Sequence, residues 1–411
     1  MARGAQATES IDTEVLVVGG GMVGMTLGCA LADVGVAVTV VDRADPASMV
    51  DAGFDGRVSS IAYGSRRVLE AIGLWPALAR QAEPILEIRV SDGDSPLFLH
   101  YDHAEIGDQP LGHIVENRTI RRALFDLAAG HDRLRLLAPC AVDTVTRGVT
   151  GVAARLADGR EVRARLVVAA DGRGSGVRRS AGINVTTWRY RQTGIVCTVA
   201  HQRPHRGIAH ERFLPAGPFA ILPMTGDRSS LVWTERADLA PAMMALDDAA
   251  FGAEVARRFG EFAGRLEVVG PRWSYPLSLV HAERYVDTRL ALIGDAAHAI
   301  HPIAGQGLNL GIRDVAALAE VLVDARRLGL DLGSATVIER YQRWRRFDSV
   351  VLAAATDGLN RLFSTDDPAL RLMRDLGLAA VDRVAPLKRL FMRHAMGVVG
   401  TLPKLARGER L

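Results

Sequence analysis

Residues 15–42 read VLVVGGGMVGMTLGCALADVGVAVTVVD, and this stretch decides the fold of the chain. The run Val15–Val18 has the length and the β-branched content of a buried strand. A helical segment follows over about residues 22–34 and ends near Gly35, where a glycine can close a helix. Ala37–Val41 is a second apolar strand. The stretch therefore predicts a strand–helix–strand unit of a parallel sheet.

The glycines between the first strand and the helix have the spacing of a dinucleotide-binding loop. In Gly19-x-Gly21-x-x-Gly24 the first glycine makes the tight turn, the second lets a pyrophosphate touch the backbone, and the third lets helix and strand pack closely. The helix N-terminus offers free N–H groups and a partial positive charge to phosphates. Asp42 follows Gly24 by 18 residues, at the end of the second strand, where a carboxylate can bind ribose hydroxyls. This loop alone fits NAD and FAD equally well.

A second glycine-rich stretch occupies residues 292–312, LIGDAAHAIHPIAGQGLNLGI. Its strand, Leu290–Ile293, is expected to rejoin the first sheet, and Asp295 behind that strand can accept hydrogen bonds from a polyol. The segment Pro302–Gly307 then leads into a helix start at Leu308–Gly311. Bare N–H groups there suit the pyrimidine ring of a reduced flavin, which carries negative charge, whereas a nicotinamide gains no such charge on reduction.

A third candidate stretch is residues 165–178, RLVVAADGRGSGVR. The strand Leu166–Ala170 ends on Asp171-Gly172, and the glycines that follow do not have the dinucleotide spacing. On its own residues this segment indicates only a strand end and a turn.

The rest of the chain alternates between β-rich and helical stretches. The expected elements are hairpin strands at 85–90 and 97–101 and at 152–156 and 161–168, several short strands between 195 and 235, and helices at 248–262, 312–327 and 337–362. The last of these helices is expected to bury one apolar stripe, formed by Val337, Tyr341, Trp344, Phe347, Val351 and Leu362. The tail that follows is expected to be mostly helical and basic.

Composition argues against several classes of protein. The net charge of +3 is too small to indicate nucleic acid binding. The cysteines Cys29, Cys140 and Cys197 lie far apart, so we expect no metal site and no redox pair such as the Cys-x₄-Cys of disulfide reductases. The tryptophans are never two residues apart, which argues against flavin halogenases. No apolar stretch is long enough to span a membrane, and the N-terminus lacks the apolar region of a secretory signal.

In this order, the three glycine-rich stretches resemble those of the flavoprotein aromatic hydroxylases of the para-hydroxybenzoate hydroxylase type, the class A monooxygenases. GGGMVG is similar to their adenine-dinucleotide loop, ADGRGSGVR to their Asp-Gly motif, and GDAAH followed by Pro302 to their Gly-Asp motif at the flavin. The ubiquinone-biosynthesis hydroxylase branch of that family is a closer match over nearly the whole chain. The stretches that carry this second resemblance are Phe54–Trp75, Val115–Phe125, His301–Leu318 and Leu387–Gly397.

The resemblance implies an α/β fold with a discontinuous, Rossmann-like FAD-binding domain, an inserted antiparallel β-sheet that faces the substrate, and a C-terminal helical region. The expected boundaries are 11–80, 111–182 and 286–330 for the FAD-binding domain, 81–110 and 183–285 for the β-rich substrate domain, and 331–411 for the helical region.

The resemblance also implies which residues bind FAD. Arg57 and Arg118 match family arginines near the flavin phosphates and the ribityl chain, and an arginine can bind pyrophosphate bidentately. The full set of expected FAD-binding residues is Gly19, Gly21, Met22, Val23, Gly24, Asp42, Arg43, Arg57, Arg118, Val142, Asp171, Gly172, Gly294, Asp295, Pro302, Gly305, Gln306, Gly307, Leu308 and Asn309. His298 and His301 are expected to order their loop through backbone hydrogen bonds, and neither is assigned a proton-transfer role.

The implied reaction is an FAD-dependent monooxygenation. NADH or NADPH visits the protein, reduces the flavin and leaves, because no second GxGxxG motif provides it with a fold of its own. The reduced flavin then reacts with O₂, and its C4a-hydroperoxide hydroxylates a polyprenylated phenol in ubiquinone biosynthesis. The candidates for an apolar substrate pocket on the inserted sheet are Phe213, Phe219, Leu222, Pro223 and Trp233.

The basic tail indicates a further contact. Residues 383–411 contain seven Lys or Arg and one acidic residue, and Val384, Leu387, Leu390 and Phe391 recur at helical spacing. This pattern favours an anionic membrane surface or a partner protein of a ubiquinone-biosynthesis complex. The expected location is the cytoplasm, peripheral to the inner face of the membrane.

Three alternative functions remain open on the sequence. The first is a hydroxylase of the same class that acts on a small, non-prenylated phenol. The second is a flavin-binding scaffold of a ubiquinone-biosynthesis complex without turnover of its own, and the third is a nicotinamide-dependent dehydrogenase without flavin.

Overall fold

The structure, a computed structural model, describes residues 10–51, 56–93, 95, 98–363 and 368–411. Phe54, which begins one of the resembling stretches, and Asp94 of the predicted hairpin turn lie outside these ranges. The strands are β1 (Ser10–Asp12), β2 (Val15–Val18), β3 (Val38–Val41), β4 (Val58–Ala62), β5 (Glu83–Ile85), β6 (Glu87–Asp92), β7 (Phe98–Asp102), β8 (Gly112–Glu116), β9 (Leu134–Leu137), β10 (Val142–Arg147), β11 (Val152–Leu156), β12 (Glu161–Ala164), β13 (Leu166–Ala169), β14 (Val185–His201), β15 (Ile208–Leu214), β16 (Gly217–Met224), β17 (Arg228–Arg236), β18 (Leu266–Ala282), β19 (Val286–Asp287), β20 (Leu290–Leu292) and β21 (His298–Ala299). The helices are α1 (Met22–Ala32), α2 (Pro46–Met49), α3 (Tyr63–Ala71), α4 (Trp75–Leu78), α5 (Asn117–Ala129), α6 (Gly176–Ser180), α7 (Ala240–Met244), α8 (Asp248–Phe259), α9 (Gln306–Arg327), α10 (Ala335–Phe363), α11 (Pro368–Arg383) and α12 (Ala385–Met396).

A six-stranded sheet in the order β19-β20-β13-β2-β3-β9 forms the centre of the molecule. All its neighbouring strands are parallel except the pair β19–β20. Strands β2, β3 and β13 are buried at every position, as expected for a parallel sheet covered on both faces. Strand β20 pairs with β13, which confirms that the strand before the Gly-Asp stretch rejoins the first sheet.

An eight-stranded, almost entirely antiparallel sheet in the order β21-β18-β14-β17-β16-β15-β6-β7 is the second large element. On one side, here called the outer face, Ile195, Phe219 and Trp233 pack against Phe251 and other apolar residues of α8. We call the opposite side the inner face. It is turned toward the loop after β21 and toward α12, with which it forms two further apolar clusters. The predicted fold class, with a parallel sheet, an inserted antiparallel sheet and C-terminal helices, is confirmed.

Two predicted strand assignments are wrong. Residues 161–168 form two strands in different sheets, since β12 pairs with β1 and β11, whereas β13 pairs with β2 and β20. The change from alternating burial in β12 to continuous burial in β13 marks the crossing. The strands between 195 and 235 are also not all short, because β14 runs for 17 residues straight through Gly194, held by hydrogen bonds to strands on both sides.

The long helix α10 is present, and its predicted apolar stripe is confirmed at Val337 and Tyr341, which are buried, but is wrong further along the helix. Phe347 is 78% exposed, and Val351 and Leu362 are also exposed. The buried face includes Arg345 and Asn360 instead. The prediction fails there because the buried face packs against buried charged and polar groups, which a search for hydrophobic periodicity does not detect.

Two further observations bear on function. Among the residues that the structure describes, no helix combines the length and the apolar character needed to cross a bilayer. Within the same ranges, no group of three or more His, Cys, Asp or Glu side chains is placed to hold a metal ion.

Candidate functional site

The turn between β2 and α1 and the first turn of α1 each have one position that accommodates only glycine. Gly19 has a φ of +110°, and a Cβ built on it would lie 2.3 Å from the carbonyl oxygen of Ala170. A Cβ on Gly24 would lie 2.0 Å from the carbonyl oxygen of Gly19. In contrast, nothing lies within 4 Å of a Cβ on Gly21, so that part of the turn borders open space. Because no side chain caps the helix that begins at Met22, its first N–H groups are available to an anion.

The carboxylate of Asp42 braces this turn. Its Oδ2 accepts a hydrogen bond from Gly20 N at 2.5 Å, and its Oδ1 accepts one from Ala44 N at 2.8 Å. The backbone oxygen of Asp42 also accepts a bond of 2.7 Å from Cys140 N, two residues before Val142. Asp42 and Val142 thus lie at the same end of the parallel sheet.

The Gly-Asp stretch packs directly on the first loop. Gly294 has a φ of +57°, and a Cβ on it would lie 3.2 Å from Cγ1 of Val23. A Cβ on Gly311 would lie 2.6 Å from Cγ2 of Val23. Since the absence of a side chain at both positions allows this approach, the start of α9 lies against the start of α1.

The Asp-Gly stretch adjoins the first loop through Ala170, whose carbonyl oxygen faces Gly19. Oδ2 of Asp171 accepts a hydrogen bond from Gly176 N at 2.7 Å and thereby fixes the start of α6. Gly172 follows with a φ of +82°, a conformation that favours glycine.

Two arginines connect the Asp-Gly stretch to the Gly-Asp stretch. Nη1 of Arg178 donates to the carbonyl oxygen of Ala296 at 2.8 Å. Nη2 of Arg173 lies 3.9 Å from Oδ2 of Asp295. The three glycine-rich stretches, far apart in the sequence, therefore meet at one end of the parallel sheet.

Asn309 holds the loop that precedes α9. Its Nδ2 donates to the carbonyl oxygens of Ser60 at 2.8 Å and Gly305 at 3.1 Å. Its Oδ1 accepts a hydrogen bond from Ala62 N at 2.9 Å. Gly305 has a φ of +62° and leaves no room for a side chain beside Ser60. The side chain of Asn309 is thus engaged within the protein, and only its backbone can face a ligand.

The other predicted residues of this region surround the same helix start. Pro302 is exposed, and Gln306 is buried with its Nε2 3.4 Å from the carbonyl oxygen of Ala395 on α12. Gly307 and Leu308 are half-buried in the first turn of α9, which no side chain caps. Arg43 is exposed beside Asp42.

Arg57 and Arg118 line one cavity of about 290 Å³, which is bordered on its other side by residues of the eight-stranded sheet such as Thr198, Arg228 and Trp273. The guanidinium of Arg57 lies 4.6 Å from the ring centre of Tyr275. Nε of Arg118 lies 2.5 Å from Glu116, whose other carboxylate oxygen is 3.8 Å from Arg228. Three arginines against one glutamate make this cavity a favourable place for an anion.

A buried ion network holds the Gly-Asp stretch from behind. Oδ2 of Asp314 accepts hydrogen bonds from Gly294 N at 3.0 Å and from His298 Nε2 at 2.6 Å. Its Oδ1 accepts from Arg345 Nε at 2.9 Å, and Arg345 also contacts Asp348 at 2.6 Å. Burial by itself would raise the pKa of Asp314, but pairing with His298 and Arg345 outweighs burial and holds that pKa below its usual value.

The expected backbone hydrogen bonds of the two histidines are wrong. His298 bonds to the carboxylate of Asp314 because the loop turns its ring into the buried network. Neither ring nitrogen of His301 has a hydrogen-bond partner in the described part of the chain. Burial lowers the pKa of His301 to about 4, and its ring stands edge-on to Tyr190, with ring centres 5.1 Å apart.

The five predicted pocket residues are divided between the two faces of the eight-stranded sheet. Phe213 and Leu222 lie on the inner face, and Phe213 packs against Ile303 of the loop before α9. Phe219 and Trp233 lie on the outer face under α8, and Pro223 shares that face by strand alternation. A place for these three in a pocket beside the loop is therefore wrong, because successive side chains of a strand point to opposite sides.

Sequence reasoning missed the Asp314–Arg345 pair and the third arginine of the cavity, Arg228. Asp314 shares one helical face with Leu310, Ala317 and Leu318, which are all buried, so its spacing could have revealed it. No local pattern indicates Arg228, whose position depends on how the eight-stranded sheet packs against the segment that carries Glu116.

Comparison with known proteins agrees with this geometry. The sequence profile described as FAD binding domain matches residues 12–346. The chain is 56% identical over 401 residues to the ubiquinone hydroxylase UbiL of Rhodospirillum rubrum, covering 97% of this chain and 93% of that protein. It is 38% identical over 390 residues to the 3-demethoxyubiquinol 3-hydroxylase of Escherichia coli, covering 94% and 99%.

Solved structures share the architecture. The p-nitrophenol 4-monooxygenase PnpA of Pseudomonas putida superposes with a TM-score of 0.80 at 20% identity, over 96% of this chain and 100% of that one. PqsL of Pseudomonas aeruginosa, described as a probable FAD-dependent monooxygenase, gives a TM-score of 0.74 at 26% identity, over 89% and 99%.

Proposed function

This chain belongs to the FAD binding domain family, and from that premise we propose that it hydroxylates the aromatic ring of a polyprenylated phenol in ubiquinone biosynthesis. It is an FAD-dependent monooxygenase, with O₂ and NADH or NADPH as co-substrates. The main structural observation in support of this reaction class is that the three glycine-rich stretches converge at one end of the parallel sheet. The similarity to a ubiquinone hydroxylase and to a demethoxyubiquinol hydroxylase supports the substrate class.

The residues at the three stretches fit FAD. The open backbone at Gly21 and the uncapped start of α1 would receive the pyrophosphate. Asp42 and Val142 would border the ribose and the adenine, and the uncapped start of α9 would face the flavin. Bound FAD supplies two-electron transfer from the nicotinamide and activation of O₂.

The protein contributes positioning and exclusion of water. In the overall reaction the phenol, O₂, NAD(P)H and one proton give the hydroxylated phenol, NAD(P)⁺ and water. We place the substrate ring between the loop before α9 and the inner face of the sheet, where Phe213, Ile303 and Phe363 form an apolar cluster. Residues 11–80, 111–182 and 286–330 would bind FAD, 81–110 and 183–285 would face the substrate, and 331–411 would form the helical region.

We expect the purified protein, supplied with FAD, to oxidise NADH or NADPH faster when a short-chain prenylphenol is added. The product should gain one oxygen atom, and that atom should come from labelled O₂. Reduced nicotinamide consumption and the mass of the product are the two measurements.

Other outcomes separate the alternatives. If only small phenols are hydroxylated, the proposed substrate class is wrong and the proposed reaction stands. Bound FAD without any nicotinamide oxidation would instead support a scaffold, and failure to take up FAD at all would contradict the proposal.

We further propose that α12 rests on an anionic membrane surface, where a polyprenylated substrate would reside. Val384, Leu387, Leu390 and Phe391 are exposed along one side of this segment, whereas Met392 and Met396 pack inward. The exposed arginines Arg383, Arg389 and Arg393 flank the apolar side. An apolar strip with basic edges is typical of helices that lie in a membrane interface. The protein would then work at the cytoplasmic face of the membrane.

Replacing both Leu390 and Phe391 by aspartate is expected to weaken binding to phosphatidylglycerol-containing vesicles by roughly tenfold or more, since each apolar side chain contributes about 1 kcal/mol when half of it is buried in lipid. Co-sedimentation with the vesicles measures this effect. Leu330→Asp is the matched control, because Leu330 and Leu390 are both 47% exposed and Leu330 lies outside the strip. If the wild-type protein does not bind these vesicles but binds another protein of the pathway through α12, the membrane proposal is wrong.

A further inference from the structure

The inner face of the eight-stranded sheet carries buried polar atoms that lack partners. In the described part of the chain, Oγ of Ser230 and Oγ1 of Thr234, both on β17, have no hydrogen bond. Both ring nitrogens of His301, on the loop that faces this sheet, also lack a hydrogen-bond partner among the described residues. Since most buried polar groups in proteins are hydrogen-bonded, orphans gathered on one surface indicate the place of a polar ligand.

Glu211 lies on the same inner face, by strand register. It is opposite Ala220 on β16, which is opposite Val232 on β17, between Ser230 and Thr234. Two residues further along its own strand, Phe213 stacks on Phe363 with ring centres 4.1 Å apart and packs against Ile303. Glu211 therefore lies two residues along the strand from Phe213, the residue through which the sheet contacts the loop before α9.

Glu211 has neither a hydrogen-bond nor an ion-pair partner among the residues described, and it is only partly exposed. Val90 lies opposite it on β6 and Ala209 precedes it on the same face, so its immediate neighbours on this face are apolar. Burial without a compensating charge raises its pKa to about 8. An unpaired carboxylate in such a place destabilises the fold, which is a cost that proteins accept mainly at functional sites.

The charged groups around Glu211 are engaged elsewhere. On β6, Asp92 is paired with Arg374 of α11 at 2.8 Å. Its chain neighbour Arg212 points to the outer face and donates to the carbonyl oxygen of Arg258. Further titratable groups on these elements are also engaged: Arg228 of β17 lies 3.8 Å from Glu116, Glu87 and Arg89 of β6 are paired with each other, and Lys388 of α12 is paired with Glu105. The ring of His210 lies on Phe262, Tyr101 is on β7, and His301 is without a partner among the described residues.

We infer that Glu211 is the base that accepts the proton of the phenolic hydroxyl of the substrate, whose ring lies against the inner face of the sheet beside Ser230 and Thr234. This inference rests on the proposed function. The O–H bond of the phenol breaks, its electron pair stays on oxygen, and the proton forms an O–H bond with the Glu211 carboxylate. The resulting phenolate donates electrons into the ring and makes its carbon atoms better nucleophiles for the hydroxylation that bound FAD would support. Glu211 returns the proton to water through its exposed edge.

Glu211→Gln keeps the size and the hydrogen-bonding capacity of the side chain but cannot accept a proton. We expect kcat for a prenylphenol to fall about 100-fold with little change in KM. In the wild type, kcat should rise with pH through about 8, as the carboxylic acid becomes the carboxylate, and the variant should lack this rise. Glu267→Gln, an exposed glutamate on β18 of the same sheet, is the matched control with unchanged kinetics.

A substrate that is already ionised distinguishes a base from a merely structural residue, because its reaction no longer needs the base. With an analogue whose hydroxyl is already ionised in solution, the ratio of wild-type to Glu211→Gln rates should fall from about 100 toward one. In a binding titration without turnover, the variant should bind this phenolate more tightly than the wild type above pH 8, because it lacks the repelling carboxylate. FAD content and the unfolding midpoint of the variant show whether it is folded.

Two results would overturn the inference. If the wild type hydroxylates the prenylphenol and folded Glu211→Gln keeps both its kcat and its pH profile, Glu211 is not the base and the proposed function stands. If the wild type yields no hydroxylated product, the proposed function fails and this inference fails with it.

Discussion

Replacing Gly24 by alanine is expected to lower the free energy of unfolding by about 3 kcal/mol or more and to abolish FAD binding. The new Cβ would lie 2.0 Å from the carbonyl oxygen of Gly19 and 3.1 Å from Cβ of Ala170, so the backbone of the turn must move. At an unhindered helical position the same change stabilises a protein by up to about 1 kcal/mol. The sign of the effect therefore reports the clash. Chemical denaturation of the flavin-free protein and the flavin content of the purified protein measure it.

Two other glycines provide matched controls. Nothing lies within 4 Å of a Cβ on Gly252, inside α8, or on Gly21. Gly252→Ala should raise stability by up to about 1 kcal/mol and retain FAD. Gly21→Ala should leave the flavin-free protein stable but weaken FAD binding by roughly 10- to 100-fold, because the methyl group would occupy the space of the pyrophosphate. A Gly24→Ala protein as stable as the wild type would contradict the packing, and unchanged FAD affinity in Gly21→Ala would contradict the proposed position of the phosphates.

The glycine turn could be predicted from sequence because its physical requirements are local. A tight turn with positive φ and a close approach of helix to strand both demand glycine at fixed spacing, and Gly19 and Gly24 meet that demand. The buried strands Val15–Val18 and Leu290–Leu292 were likewise visible, because a strand covered on both faces is apolar at every position.

Features that depend on contacts between distant segments were not accessible in the same way. The identity of Phe219 and Trp233 gives no sign of which face of the sheet they occupy, and that choice depends on where α8 packs. The inward face of α10 carries Arg345 because a buried carboxylate on α9 lies opposite it. Hydrophobic periodicity assigns such an arginine to the surface, so it recovers Val337 and Tyr341 but not the polar part of the buried face of this helix.

Replacing Arg345 by methionine is expected to lower the free energy of unfolding by about 3–5 kcal/mol near neutral pH. The substitution leaves the buried carboxylate of Asp314 with only Gly294 N and His298 as partners. Removing one member of a buried ion pair costs more than the lost attraction, because the other charge remains without compensation. Since Asp314 also holds Gly294 at the Gly-Asp stretch, the affinity for FAD should fall as well. Denaturant unfolding of the flavin-free protein separates the loss of stability from the loss of binding.

The pH dependence distinguishes lost compensation from lost packing in Arg345→Met. In the wild type the lowered pKa of Asp314 means that its contribution is present above its unfolded pKa and is lost as the pH falls through the folded pKa. In the variant the loss of Arg345 raises the folded pKa of Asp314 relative to the wild type, so the contribution of this carboxylate is smaller and is lost at a higher pH as the pH falls. The stability difference between the two proteins should therefore shrink as the pH falls from about 7 to about 4. Arg343→Met, at an exposed position on the same helix, should change stability by less than about 0.5 kcal/mol at any pH. A difference for Arg345→Met that stays constant with pH would mean that lost packing, not an uncompensated carboxylate, destabilises the variant.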